Sequence, residues 1–171
     1  MRAYKSELEA EKALRSFNGL ECFVAKHYDV RVYHGKRYRK LVPLIHSLVF
    51  VRGLRDDIRR FKSVYTYLQY ISVRDGSRPS RPLTVPDRQM EDFMRVARSY
   101  ESDIRFLSPS EVVLCKGSRV RIIGGPFHGV VGHLLRDKQR GSCKVVVSLP
   151  GNLGGLSTAE IAPEWLEPLD D

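Results

Sequence analysis

The chain has 171 residues, of which 42% are hydrophobic and 29% charged, the balance of a folded domain and not of a disordered segment. No apolar run approaches the roughly 20 residues that span a bilayer, and no signal-peptide pattern opens the sequence, so a cytoplasmic protein with no membrane partner is expected. The net charge of +9 favours polyanions as partners and is unevenly spread: residues 1–100 hold 21 Lys and Arg against 11 Asp and Glu (+10), residues 101–171 hold 8 against 9 (−1).

A first helix is predicted over residues 7–17. Ala10, Ala13, Leu14 and Phe17 share one face, Ser6 is placed to cap it with Glu9 in a capping box, and Asn18-Gly19 ends it. Strands are predicted over residues 21–26 and 30–33. His34-Gly35 reads as a turn, with the chain returning over 37–42. An apolar strand over 48–51 precedes a second helix marked by Leu54, Ile58 and Phe61. Residues 67–73 alternate as a strand, and 75–86, rich in Gly, Pro, Ser and Arg, read as a loop. Asp87 is expected to cap a third helix carrying Met90, Phe93, Met94 and Ala97 on one face.

Periodicity fades after Tyr100, and Ser108-Pro109-Ser110 breaks the chain, so a linker is expected over 101–113. Residues 116–134, KGSRVRIIGGPFHGVVGHL, then carry the strongest local signal. Val120 and Ile122 alternate with Arg119 and Arg121 as in a strand. A turn follows at Gly124, Gly125 and Pro126, then Phe127 and Gly129, and a second strand through Val130, Val131 and Leu134. Further short strands are predicted over 144–148 and 157–161, in a turn-rich pattern that suits a small barrel.

The strand, Gly-Pro-aromatic turn, glycine and strand resemble a KOW motif (Gly124, Gly125, Pro126, Phe127, Gly129). Together with residues 39–53 (RKLVPLIHSLVFVRG) and 84–100 (TVPDRQMEDFMRVARSY), and with KVVVSL and LEPL, the chain resembles the NusG family of transcription elongation factors. Within it the likeness is to UpxY, antiterminators encoded with capsular polysaccharide operons in Bacteroides. The resemblance implies an α+β fold. An antiparallel N-terminal NusG-like (NGN) sheet with flanking helices occupies 1–100, and a KOW (SH3-like) barrel occupies 114–171. It also implies a first strand before the first helix, of which only the residues from Met1 to Tyr4 are in place.

The same resemblance implies a function: an antitermination factor that binds RNA polymerase and suppresses pausing or termination. Tyr4, Leu44, Ile45, Leu48 and Phe50 correspond to the family's docking surface for the clamp helices of the polymerase largest subunit. Some relatives carry a His-Thr-Thr element that touches the polymerase gate loop; this chain has Arg55, Asp56 and Asp57 there, so the resemblance carries that contact over only weakly. The KOW part implies a ribosomal protein or a termination factor as a further partner, and a monomer is expected.

Two basic groups suit non-template DNA or nascent RNA. One is Lys5, Lys12 and Arg15, at or on the first helix. The other is Arg31, Lys36, Arg37, Arg39 and Lys40, interleaved with Tyr33 and Tyr38 on the expected hairpin, where cations follow phosphates and rings stack on bases. The bland reading of either group is a solvated face. No nucleotide-binding loop is present, and the five histidines are scattered without metal-ligand spacing, so neither an enzyme nor a cofactor is expected. Cys22, Cys115 and Cys143 form no CxxC and read as reduced thiols. The alternative function is a ribosome- or RNA-associated KOW protein. A basic barrel would favour it, and this one is near neutral.

Overall fold

The computed structural model describes residues 1–74, 76, 80–99, 103–114, 117–136 and 141–169. It is an α+β protein in two compact units, Met1–Leu83 and Thr84–Asp171.

The first unit begins with helix α1 (Glu7–Arg15). Strands β1 (Leu20–Phe23), β2 (Lys26–Tyr33), β3 (Lys36–Pro43) and β4 (Phe50–Gly53) follow, then helix α2 (Arg55–Val64) and two short strands, β5 (Ser72–Val73) and β6 (Arg81–Pro82). Ala10 and Leu14 of α1 meet Ala3, Leu20, Val24, Val49, Phe61 and Leu68 in one buried cluster. Phe17 packs edge-on to Phe61 with centroids 5.4 Å apart, and Tyr65 stacks on Phe61 at 4.4 Å. The expected capping box is not formed. Ser6 sits at φ −110°, ψ 32° and makes no side-chain cap bond, because the chain enters α1 through left-handed Tyr4 and Lys5 and not from an extended strand.

β1 runs antiparallel to β4, with Leu20 opposite Gly53 and Phe23 opposite Phe50. Residues 1–3 fill the place of a strand beside it. The Val49 and Ala3 amides donate to the Met1 and Ser47 carbonyls at 2.9 and 3.0 Å, while Arg2 and Gln69 exchange both of their backbone bonds at 2.8 and 3.0 Å. Residues 1–3 thus pair their own backbone groups with those of Ser47, Val49 and Gln69. Burial lowers the Met1 amino group to about 6, and it donates to Val49 O at 2.6 Å. The strand predicted over 67–73 is cut to this bridge at Gln69 and to β5.

In the second unit, helix α3 (Asp87–Arg98) is followed by β7 (Arg105–Leu107), helix α4 (Pro109–Leu114), β8 (Arg119–Ile122), β9 (Val131–Arg136), β10 (Cys143–Ser148) and β11 (Gly155–Ser157). A single 3-10 turn, Pro163–Trp165, leads into β12 (Leu166–Pro168). The strands form one antiparallel sheet in the order β12-β8-β9-β10-β11-β7. Among the described residues no ladder joins β12 to β7, so the sheet is not closed by hydrogen bonds. Val120, Ile122, Phe127, Val130, Val145, Val147 and Leu156 form its core. α3 packs on β10 and β11 with Phe93, Val96 and Ala97 buried. Its N-cap position is Pro86, and Asp87 is its first helical residue, not its cap.

The segment expected as a linker, 101–113, is instead structured, apart from Glu101 and Ser102, which lie outside the described residues. Arg105, Phe106 and Leu107 pair with Ser157, Leu156 and Gly155. Ser108-Pro109-Ser110 starts α4 and does not break the chain. Ser108 Oγ accepts the Glu111 amide at 3.4 Å, Glu111 Oε2 accepts the Ser108 amide at 2.8 Å, and proline stands at the first helical position. The division between the units therefore falls before α3. The charge split is unchanged by this, because α3 carries three cations and three carboxylates. Cys22 and Cys143 are free thiols, and Cys115 lies outside the described residues.

Candidate functional site

The β2–β3 hairpin is exposed along most of its length. Its eight paired rows run from Lys26 opposite Pro43 to Tyr33 opposite Lys36. The tip is a two-residue turn with His34 at φ 49° and Gly35 at φ 71°, the double left-handed geometry that matches strand twist. Of the five cations expected there, Arg31 donates from Nε to Asp29 at 2.7 Å, and the Arg39 guanidinium lies 3.9 Å over the Tyr28 ring. Lys36, Arg37 and Lys40 make no ion pair among the described residues, and Tyr33 and Tyr38 are 66% and 54% exposed. The structure thus brings the expected cations and rings onto one ribbon.

The α1 group is also on the surface, with one member engaged. Lys5 and Lys12 are exposed. Arg15 donates to Glu11 Oε1 at 2.8 Å, and Lys26 reaches the other oxygen of the same carboxylate at 2.5 Å. The Glu11 carboxylate holds the Arg15 guanidinium above its ordinary pKa. At α2, Asp56 and Asp57 pair with Arg59 and Arg60 within the helix.

The docking surface is corrected in part. Ile45 and Leu48 are only 7% and 6% exposed. They are held inward because Glu7, itself buried, accepts the Ser47 amide, which fixes Ser47 at φ 61° between them, and because Ala3 donates to Ser47 O. They are core residues of the first unit, as are Val49 and Ala25 beside them. Tyr4 is 59% exposed, and Leu44 and Phe50 are half-buried, so these three remain reachable.

The Gly-Pro-Phe turn connects β8 to β9. Gly125 and Gly129 take φ 70° and 87°, and Phe127 is buried between them. The Gly129 amide donates to Ile122 O at 2.7 Å and the Ile122 amide to Val130 O at 2.9 Å, which closes the turn. The Arg95 guanidinium of α3 donates to the His128 carbonyl from outside. Trp165 covers the turn, a residue that sequence reasoning passed over. A side chain at Gly124 or Gly125 would meet its ring at 2.7 or 2.5 Å. The signal available was the chain's single tryptophan, 40 residues downstream of two adjacent glycines.

A cleft of about 530 Å³ lies between the start of α3 and the β9–β10 face, lined by Arg88, Gln89, Asp92, Arg119, His133 and Ser148 among others. Burial raises the Asp92 carboxyl, against the opposing pull of the Val131 amide 3.4 Å away. Among the described residues no group of three or more His, Cys, Asp or Glu is placed to hold a metal ion, and no helix is long and apolar enough to cross a membrane. No family model matches the chain, and no curated protein matches it.

Proposed function

We propose that the chain is a NusG-like transcription elongation factor of the UpxY kind, which binds RNA polymerase and suppresses pausing or termination in a polysaccharide biosynthesis operon. In this reading the first unit is the NGN domain and the six-stranded sheet is a KOW (SH3-like) barrel. The observation that carries it is the β8–β9 connection. There two left-handed glycines, Gly125 and Gly129, flank Pro126 and the buried Phe127, a turn that supports the KOW reading.

Tyr4, Leu44 and Phe50 dock on the clamp helices of the largest subunit. Lys5, Lys12 and the hairpin cations meet non-template DNA or nascent RNA. A factor held on both sides of the polymerase cleft favours the closed clamp by its differential affinity for that state, and paused states lose population accordingly. The −1 charge of the second unit, against +10 on the first, supports a polymerase-bound factor over a ribosome-associated KOW protein.

The test is capture of the tagged chain from a lysate, probed for RNA polymerase and for ribosomes. Polymerase subunits in the eluate at low and moderate salt are expected. Ribosomal proteins in their place would move the protein to the structural RNA-binding class.

A further inference from the structure

The hairpin register sorts its side chains into two chemically different faces. Residues directly opposite in an antiparallel pair share a face. One face therefore carries Tyr28, Val30 and Val32 with Leu41, Arg39 and Arg37. The other carries Asp29, Arg31 and Tyr33 with Lys40, Tyr38 and Lys36. On the first face Arg39 is occupied over Tyr28, and the rest is largely aliphatic. On the second, the two rows nearest the tip each hold one tyrosine and one cation. Tyr33 faces Lys36, and Arg31 faces Tyr38.

We infer that this second face is a single-stranded nucleic-acid platform, in which Tyr33 and Tyr38 stack on unpaired bases while Lys36 and Lys40 follow the phosphates and Arg31 stays paired with Asp29. The inference rests on the nucleic-acid contact proposed above and specifies its strandedness and its face. Charge complementarity selects the occupant. Residues 26–43 hold six Lys and Arg and a single carboxylate, and that carboxylate, Asp29, is already taken by Arg31. The exposed rings select its form, since Tyr33 and Tyr38 are 66% and 54% exposed and are covered only by accessible base faces. A duplex keeps its base faces inside the stack. Only a strand whose bases have come apart can offer one to each ring.

Fluorescence anisotropy of the full chain, with a labelled 15-mer of thymidine and a 15-base-pair duplex as probes, tests this. The 15-mer should bind more tightly than the duplex. Tyr33→Ala and Tyr38→Ala should each weaken 15-mer binding about tenfold, Tyr33→Phe with Tyr38→Phe should leave it unchanged, and Val30→Thr with Val32→Thr on the opposite face should change nothing. Equal affinity for the duplex, a loss of less than threefold in the double alanine variant, or loss in the valine variant would overturn the proposal. So would displacement by poly-glutamate as effective as by unlabelled 15-mer, which would make the partner an acidic protein. Polymerase capture by the Tyr33→Ala, Tyr38→Ala variant keeps the two ideas apart. If the unaltered chain captures no polymerase while 15-mer binding still needs both rings, the elongation reading fails and the platform stands.

Discussion

Trp165 sits so close to Gly125 that a β-carbon on the glycine would stand 2.5 Å from the indole Cζ3. The backbone bond from the Ile123 amide to the Trp165 carbonyl, 2.8 Å, fixes the two segments against each other. Gly125→Ala therefore meets two penalties, a steric one from the ring and a conformational one from φ 70°. The second alone costs about 1–2 kcal/mol. In a Trp165→Ala background only the second should remain. A double-mutant cycle on melting should give a coupling of at least about 1 kcal/mol between the two positions. Additive effects would mean that the ring moves aside freely.

Ile45→Asp combined with Leu48→Asp should unfold the first unit, not merely block docking. Both side chains are buried in a segment pinned by Glu7, and two carboxylates there lose several kcal/mol of hydration. Loss of the cooperative thermal transition is the expected outcome, and a variant with parental melting would return both residues to the docking surface. Tyr4→Asp is the informative docking variant. The side chain is exposed, and aspartate tolerates the left-handed backbone at φ 41°. Its melting should stay within about 0.5 kcal/mol of the parent, with weaker polymerase capture.

The start of α4 should be pH-sensitive through Glu111. The Ser108 amide and hydroxyl, and then Arg105, hold its carboxyl below the ordinary value of 4.5. A depressed carboxylate contributes stability above its unfolded pKa and loses it as the pH falls through the folded value. The protection of the Ser108 amide, measured by NMR hydrogen exchange and corrected for the intrinsic rate at each pH, should be lost only below the ordinary carboxylate range. Glu111→Gln should remove that pH dependence. Full protection of the amide in Glu111→Ala would show that the carboxylate is not what holds it.

The hairpin was legible in the sequence because two independent signals agreed, β-rich runs on both sides and a His-Gly pair at the required spacing. The glycine-rich turn was legible for the same reason. The linker over 101–113 was misread because Ser108-Pro109-Ser110 is ambiguous by composition. It resolves into a helix start only when Glu111, three residues on, is counted as the returning member of a capping box. β7 left no periodic signal, since three residues are too few, and its pairing with β11 is non-local. The docking residues show a different limit. Ile45 and Leu48 carry the same apolar pattern whether they face a partner or the interior, and what decides is a bond from Ser47 to a carboxylate 40 positions away.

Nucleic-acid affinity should reside in Met1–Leu83 and should track the cations that are not already neutralised within the chain. On single strands the logarithm of affinity falls with the logarithm of salt by about 0.7 per phosphate neutralised. Lys5 and Lys12 have no internal partner among the described residues, whereas Arg15 shares Glu11 with Lys26. Lys5→Ala with Lys12→Ala should therefore flatten the salt slope nearly as much as the triple variant that adds Arg15→Ala. Arg15→Ala alone should change it little, because Glu11 keeps Lys26. If Arg15→Ala flattens the slope as much as Lys12→Ala does, the ion pair opens on binding and the arginine moves to a phosphate. Binding by Thr84–Asp171 alone, as tight as by the whole chain, would contradict the placement outright. That unit carries −1 and has no net attraction for a polyanion to supply.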